Sequence, residues 1–356
     1  MPSIEGGGVE KNLFIISNYL AYKIKDISLI TISNSFKNKF NKKIRFISLK
    51  MSFWDKIGRR KKFILSLILL FFEILKNKNI LVLCFQGNIY CTFLCKLLGV
   101  KIIVRSNSAP DGWSQNFIKY LFFKYIFKFA DKIIVNSHDF KQRFKDKFNL
   151  QTECIYNPLN KKEILKKSKK KNNIKFDNKK LNIINVGRFT DQKDQITLLK
   201  ALNIIKGKLN FRLLLVGRGK EENNLKSYIK KNNIGDKIKI IKFTDNPYNL
   251  IRSSDLFILS SVYEGLPNVL LEAITLKKFV ISSNCPTGPK EILLNGKGGY
   301  LFTPGDYRKL ARLIISFKQK KNMLNKKINF AYNNLDRFDY TKNLQKYFKT
   351  IYKLLY

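Results

Sequence analysis

Two glutamates eight positions apart, in Ser-Ser-Val-Tyr-Glu264-Gly-Leu-Pro-Asn-Val-Leu-Leu-Glu272, are the residues best placed to do chemistry. On one α-helix they would stand about 80° apart around the axis, a poor clamp. Pro267 points to another arrangement, because proline favours the first helical position. Glu264 then sits in the loop before a helix, and Glu272 roughly one turn inside it. Val269, Ala273 and Leu276 recur at helical spacing and are expected to face the core, with Glu272 at the edge of that face. The N–H groups of the helix start would lie between the two acids and form an anion site. Carboxylates that accept from hydroxyls, beside N–H groups that hold a phosphate, match the needs of a sugar nucleotide. Spacing alone leaves a second reading open, two solvated acids on an ordinary helix.

Cations are expected over the same region. The apolar run 181–186 reads as a strand that ends in Gly187-Arg188-Phe189-Thr190-Asp191-Gln192-Lys193. Gly187 lets the backbone turn closely, Arg188 offers phosphate a bidentate fork, and Lys193 offers a mobile point charge. In a chain this rich in lysine a solvated surface pair is the competing reading. Val216-Gly217-Arg218-Gly219 follows the next strand and resembles the start of a dinucleotide fingerprint, but Glu222 stands where a third glycine would be. A plain tight turn explains it as well. Near the start, Glu5-Gly6-Gly7-Gly8-Val9-Glu10 precedes a helical run over 11–22, either a phosphate-holding loop or a flexible beginning. Cys285-Pro-Thr-Gly-Pro-Lys-Glu291-Ile-Leu293 is rich in turn formers, and Glu291 would favour the dipole of the helix it opens. No Asp-x-Asp occurs, so the usual carboxylate pair for a divalent metal on a sugar nucleotide is missing.

The elements that must position these loops alternate. Strands are expected at 79–84, 101–104 and 132–135, with helices at 89–98 and 116–129. After Asn157-Pro158 a polar, lysine-rich stretch reads as a linker over 158–180. The pattern restarts with strands at 181–186, 211–216, 239–243, 256–259 and 279–282 and helices at 195–205 and 222–231. Such alternation implies parallel strands with right-handed crossovers, hence an α/β fold of two Rossmann-like, doubly wound domains. The expected domains are residues 1–157 and 181–335, followed by a C-terminal helix over 336–356 that packs back on the first domain. Ligands in doubly wound sheets bind outside the carboxyl ends of the strands, and two such units would put a cleft between them.

Bulk composition sets bounds on partners. Lys+Arg 69 against Asp+Glu 25 leaves +44, which favours nucleic acid, an anionic membrane or an anionic substrate. Abundant Lys, Asn and Ile throughout suggest that codon composition supplies part of this charge. Hydrophobic residues at 45% and aromatics at 13% argue for packed domains rather than a basic tail. Five cysteines form no Cys-x-x-Cys pair, and with only His138 as a nitrogen ligand they read as reduced, buried thiols rather than a zinc site. The most apolar run, 63–75, reaches roughly 20 Å as a helix, short of the ~30 Å hydrocarbon core. Basic residues flank it, which fits a helix lying on an anionic surface or a core helix with solvated ends.

Taken in order, these residues resemble the retaining family 4 glycosyltransferases of the GT-B fold. The resemblance covers nearly the whole chain. It rests on the early glycine loop, Asn157-Pro158, Val186-Gly187-Arg188 with Lys193, Val216-Gly217-Arg218-Gly219, Ser-Asp-Leu-Phe-Ile-Leu-Ser-Ser at 254–261, and the Glu-x7-Glu signature from Glu264-Gly265-Leu266-Pro267 through Glu272. It implies transfer from a nucleotide-activated sugar with retention at the anomeric carbon, with no required metal and no cofactor beyond the donor. Glu272 would hold the ribose hydroxyls, Glu264 the donor sugar near the reacting carbon, and Arg188 and Lys193 the departing diphosphate. Gly265, Leu266, Asn268, Val269, Gly187, Gly217, Gly219, Gly7 and Gly8 would line the donor. Arg105, Asn107 and Glu291 fall on the acceptor side. The Cys285–Leu293 run resembles members that use UDP-sugars to build bacterial surface or lipid-linked glycans. The expected partners are then a glycan or polyprenyl-diphosphate-linked acceptor and an anionic membrane surface, with no nucleic acid. The expected location is cytoplasmic, peripheral on the inner face of the membrane.

Two departures stand out. Members begin with a β-strand before the glycine loop, yet Met1 lies five positions before Gly6, so either the start is late or the first strand is missing. Many members carry a histidine where this chain reads Arg105-Ser106-Asn107-Ser108. Other reactions on the same fold, a nucleotide-sugar epimerase or a phosphorylase, and a non-enzymatic nucleic-acid binder stay open as alternatives.

Overall fold

Short runs of Ile, Val and Leu, buried on both faces, become parallel strands wherever a helix can cross over between them. The computed structural model describes residues 1–4, 7–32, 36–49, 54, 57–107, 116–171, 174 and 176–356. The chain divides into two units, Met1–Pro158 with Tyr340–Tyr356, and Leu159–Asp339.

In the first unit, helix α1 (Gly8–Leu20) precedes a parallel pair, β1 (Ile27–Ile30) and β2 (Ile44–Ile47). Helix α2 (Arg59–Lys76) follows. Next come β3 (Leu81–Cys84), α3 (Asn88–Leu97), β4 (Lys101–Arg105), α4 (Phe117–Phe127), β5 (Lys132–Val135), α5 (His138–Phe148) and β6 (Glu153–Cys154). These strands form a parallel sheet in the order β3-β4-β5-β6. Helix α5 shows how sequence sets packing. Ser137 caps it by accepting from the Phe140 N–H, and Asn149 ends it at φ 53. Between those ends Phe140, Phe144 and Phe148 recur every fourth position, stack edge-on at 5.3 and 5.5 Å, and are fully buried.

Among the described residues no strand precedes α1. Residues 1–4 nevertheless lie beside β1, with the Met1 amino group donating to the Ile30 carbonyl at 2.9 Å and the Ile32 N–H to the Pro2 carbonyl at 3.1 Å. Ile4 packs in one core cluster with Leu29 and, at its margin, Leu81 and Leu83. A short segment without strand character is thus tied to β1 ahead of the first helix. The remaining residues of the early glycine loop, Glu5 and Gly6, lie outside the described residues.

In the second unit, α6 (Lys161–Ser168) precedes β7 (Leu181–Val186), α7 (Gln195–Ile205), β8 (Phe211–Val216), α8 (Glu222–Lys231), β9 (Ile238–Ile241), α9 (Tyr248–Ser253), β10 (Leu256–Leu259) and α10 (Asn268–Thr275). Then come β11 (Phe279–Ser283), α11 (Pro289–Ile292), β12 (Tyr300–Phe302), α12 (Tyr307–Lys320) and α13 (Asn325–Asn333). The lysine-rich stretch after Pro158 thus contains a helix. Asn160 and Glu163 bond reciprocally at its start, an Asn-x-x-Glu capping pattern, and Ile164 is buried. All six strands are parallel, in the order β12-β11-β10-β7-β8-β9. The chain leaves β7 toward β8 and β9, then returns to β7's other side at β10. The topological switch point therefore lies between β7 and β10, where doubly wound sheets open a crevice at their carboxyl edge.

Helix α14 (Tyr340–Leu355) returns to the first unit, beside α1 and β3. Its anchor is Arg105, fully buried at the end of β4. The Arg105 Nε donates to the Tyr347 hydroxyl at 2.8 Å, and Nη2 to Asn157 Oδ1 at 2.6 Å. Burial, the larger effect, pushes the Tyr347 phenol upward against the opposing pull of the Arg105 charge, so it stays a neutral acceptor. Tyr347→Phe removes that one acceptor and should cost about 1–3 kcal/mol in urea unfolding; an unchanged midpoint would show that Arg105 does not depend on it.

Candidate active site

The register of β7 on β8 is unbroken from Leu181↔Phe211 to Val186↔Val216, so the loops after the two strands leave the sheet side by side. They touch backbone to backbone. A Cβ on Gly217 would lie 1.9 Å from the Gly187 carbonyl oxygen, and one on Gly219 2.1 Å from that of Phe189. The Phe189 N–H donates to the Arg218 carbonyl at 2.9 Å. Glycine at 217 and 219 is thus required by the approach of the neighbouring loop, whatever else binds there.

On the other side of β7, the loop after β10 is stitched to the loop after β7. The Val262 N–H donates to the Gln192 carbonyl at 2.8 Å, Gln192 Nε2 to the Tyr263 carbonyl at 2.9 Å, and Ser260 Oγ to the Lys193 carbonyl at 3.0 Å. This stitching brings Lys193 to Glu264. The Lys193 Nζ meets Glu264 Oε1 at 2.5 Å, and Ser261 Oγ donates to the same oxygen at 2.7 Å. The Lys193 and Glu264 side chains are 16% and 8% exposed, so a buried acid meets a half-buried cation.

A third loop, after β11, supports Glu264 from behind. Thr287 Oγ1 donates to the Glu264 carbonyl at 2.7 Å, and Ser283 Oγ to the Ser261 carbonyl at 2.6 Å. Thr287 takes a left-handed backbone, φ 63, which a β-branched residue adopts only when its surroundings hold it there. Gly288, at φ 86, lets this loop press on Gly265, whose carbonyl oxygen would be 2.2 Å from an added Cβ. Cys285 beside it is buried. That burial, with the Glu264 charge as a second cause, pushes its thiol up to about 12.

Glu272 lies one turn into α10, as expected, although Pro267 is the cap and Asn268 the first helical residue. The expected edge position is not what forms. Beyond its first turn α10 packs against β10, β11, α6, α9 and α13, and Glu272 is 6% exposed. The Tyr248 hydroxyl of α9 stands 3.5 Å from Glu272 Oε1, a long contact. Leu266 is buried, and Asn268 and Val269 are half-buried at the helix start. Arg188 is exposed at the mouth of the β7 loop, and among the described residues no acid pairs with its guanidinium.

All of these loops lie within residues 166–334, a stretch that matches the family model of glycosyl transferases group 1. That stretch, a little under half of the chain, resembles a group 1 glycosyltransferase domain. An uncharacterised glycosyltransferase of Methanocaldococcus jannaschii is 35% identical over 204 residues, covering 53% of this chain. The chain spans about half the length of that relative, 49%. A Campylobacter jejuni protein named as a GalNAc-alpha-(1->4)-GalNAc-alpha-(1->3)-diNAcBac-PP-undecaprenol alpha-1,4-N-acetyl-D-galactosaminyltransferase aligns over 99% of the chain and 96% of its own length, at 22% identity. The crystal structure of Anabaena HepE in complex with UDP-glucose superposes with a TM-score of 0.78, covering 99% of this chain and 97% of that one at 17% identity. With its parallel sheets, the chain thus has the GT-B fold.

The sequence-expected residues outside the group 1 domain fare differently. Arg105 does not stand open to an acceptor; it is enclosed between Tyr347, Asn157 and the Phe85 ring. Asn107 donates to the Phe85 carbonyl at 2.7 Å. Gly7 caps α1, and Glu10 folds back so that its Oε2 would lie 2.7 Å from a Cβ there. The helix start at Gly7 and Gly8 therefore has an acid of its own beside it, which its dipole favours. Glu291, back in the domain, lies half-buried in the short helix α11. Sequence reasoning missed Ser261, Thr287 and Tyr248. Ser261 closes the quoted Ser-Asp-Leu-Phe-Ile-Leu-Ser-Ser run and Thr287 stands in the turn-rich loop, so both were visible as positions but not as partners.

The packing sets three expected outcomes. Lys193→Met leaves Glu264 buried without its cation and should cost about 3–5 kcal/mol in urea unfolding, with most of the loss restored by adding Glu264→Gln. Gly217→Ala should lower stability by about 1–3 kcal/mol. Gly207→Ala, where nothing lies within 4 Å of the added Cβ, should be close to neutral.

Proposed function

We propose that this protein is a retaining, metal-independent glycosyltransferase that moves a sugar from a UDP-type donor to a glycan or polyprenyl-diphosphate-linked acceptor. One observation carries this reading: a buried carboxylate, Glu264, held by Lys193 and Ser261 at the switch point of a group 1 domain. A carboxylate fixed in this way can accept hydrogen bonds from donor-sugar hydroxyls with little reorganisation. Lys193 keeps further N–H donors while bound to Glu264, so its ammonium can serve the acid and a phosphate oxygen together. Glu272, one turn into α10 and 6% exposed, would take the ribose hydroxyls. Arg188, exposed and without an acid partner among the described residues, is the cation available to a leaving diphosphate. Its fork would stabilise charge as the glycosidic bond to phosphate breaks. The chain has no Asp-x-Asp pair, so Arg188 and Lys193 would meet that charge themselves.

Two likenesses support the finer terms. The HepE structure holds UDP-glucose, and the Campylobacter protein's name specifies an undecaprenol-diphosphate-linked acceptor. On this reading the protein works from the cytoplasm at the inner face of the membrane. Incubation with radiolabelled UDP-sugars and polyprenyl-diphosphate-linked acceptors should yield labelled lipid; no transfer from any donor would overturn the reading. Glu272→Ala should weaken UDP binding about tenfold or more, near 1.4 kcal/mol, in titration calorimetry. Arg188→Ala should lower kcat by about 10²–10³ while leaving UDP affinity within a few-fold.

A further inference from the structure

Helix α3 packs between α2 and α4 on one side of the first unit. The three share an unusual distribution of apolar residues. Helix α2 turns Lys62, Ser66, Leu70 and Ile74 inward. The opposite stripe, Ile64, Ile68, Phe72 and Leu75, is 45–59% exposed. A surface helix normally carries polar residues on that side. Phe93 and Leu97 on α3, and Phe117 and Ile118 on α4, are likewise more than half exposed. In the second unit, exposed large apolar residues such as Leu165, Ile204 and Phe243 stand singly, on two separate helices and in the loop after β9. Scattered single residues need no explanation, whereas an apolar face spread over three adjacent helices does.

Charge indicates what covers that face. Exposed cations stand on the same three helices: Arg59, Arg60 and Lys61 at the start of α2, Lys96 on α3, and Lys119 on α4. Glu73 is the only acid within the three helices, and Arg45 and Lys76 neutralise it. Lys96 lies over the Phe129 ring and Lys128 over Tyr125, at 5.7 and 5.4 Å. Aromatic and aliphatic side chains among lysines, with acids almost absent, suit the boundary between acyl chains and anionic headgroups. Among the described residues no helix is long and apolar enough to cross a membrane, so this face would lie on the bilayer.

We propose that the α2–α3–α4 face docks the first unit on an anionic lipid bilayer, apolar side chains inserted and lysines at the headgroups. This deepens the lipid-linked acceptor reading by naming the surface that reaches it. The docking is measured without donor or acceptor, so it can fail or hold independently of transferase activity. The full chain is floated with vesicles of phosphatidylcholine alone and of phosphatidylcholine mixed with phosphatidylglycerol. Binding is expected to the anionic vesicles and to fall as salt rises. Ile68→Glu/Phe93→Glu/Ile118→Glu and, separately, Arg60→Glu/Lys119→Glu should each lower it roughly tenfold or more. All five positions are exposed, and an unchanged circular dichroism spectrum verifies the fold. Wild-type protein that ignores both vesicle types would overturn the proposal, as would a triple variant that binds like wild type. A wild-type oligomer that the triple variant turns into monomer, without vesicle binding, would assign the face to a second copy instead.

Discussion

Enclosing the Glu264 carboxylate is the constraint from which the rest of the second unit's carboxyl edge follows. A buried anion costs several kcal/mol unless a cation and hydrogen bonds replace the lost water. Lys193 and Ser261 supply them at one oxygen, and neither could do so if the loops after β7 and β10 were free to separate. The stitching through Gln192, Val262 and Ser260 is therefore a condition for holding the charge. So is the close approach of neighbouring loops, which admits only glycine at 217 and 219. Thr287 pays part of that cost in backbone strain. A site that must present a fixed carboxylate is built from loops with almost no freedom left, at the switch point that the strand order creates.

Much of this was legible in the sequence because β-strands buried on both faces leave a plain mark. The strands Leu181–Val186, Phe211–Val216 and Leu256–Leu259, and the helices between them, fall where apolar runs and spacing put them. The group 1 motifs could be found for the same reason, since each follows one of these strands. Three features were hidden. Helix α6 buries only a narrow stripe around Ile164, so lysines mask it, although Asn160 and Glu163 mark its start. Strands β1 and β2 are four residues each and lie among polar loops. The enclosure of Glu272 depends on α6, α9 and α13, elements that no local period around residue 272 can announce.

Arginine shows the limit from another side. Arg105 and Arg188 both end a parallel strand or begin the loop beyond it, and both could be read as binding cations. Tertiary structure separates them. Arg105 meets Tyr347, 242 positions along the chain, and becomes the buried tie between β4 and the C-terminal helix. Arg188 stays exposed. A residue's type and its place after a strand set what it can do, while partners remote in sequence decide which use is taken up.

Composition changes the weight that each charge can bear. With 69 basic residues against 25 acidic ones, a cation beside a loop carries little information, because cations stand everywhere. An acid carries more, and a buried acid carries most. Among the described residues the buried carboxylates are Glu10, Glu264 and Glu272. Glu10 folds over the start of its own helix, which accounts for it locally. The other two lie in the stretch that matches the group 1 family model, one on each side of the Pro267 turn, with no comparable local reason for their burial. Burying both adds to the cost of folding, and the pair was visible from spacing because acids are so scarce around it.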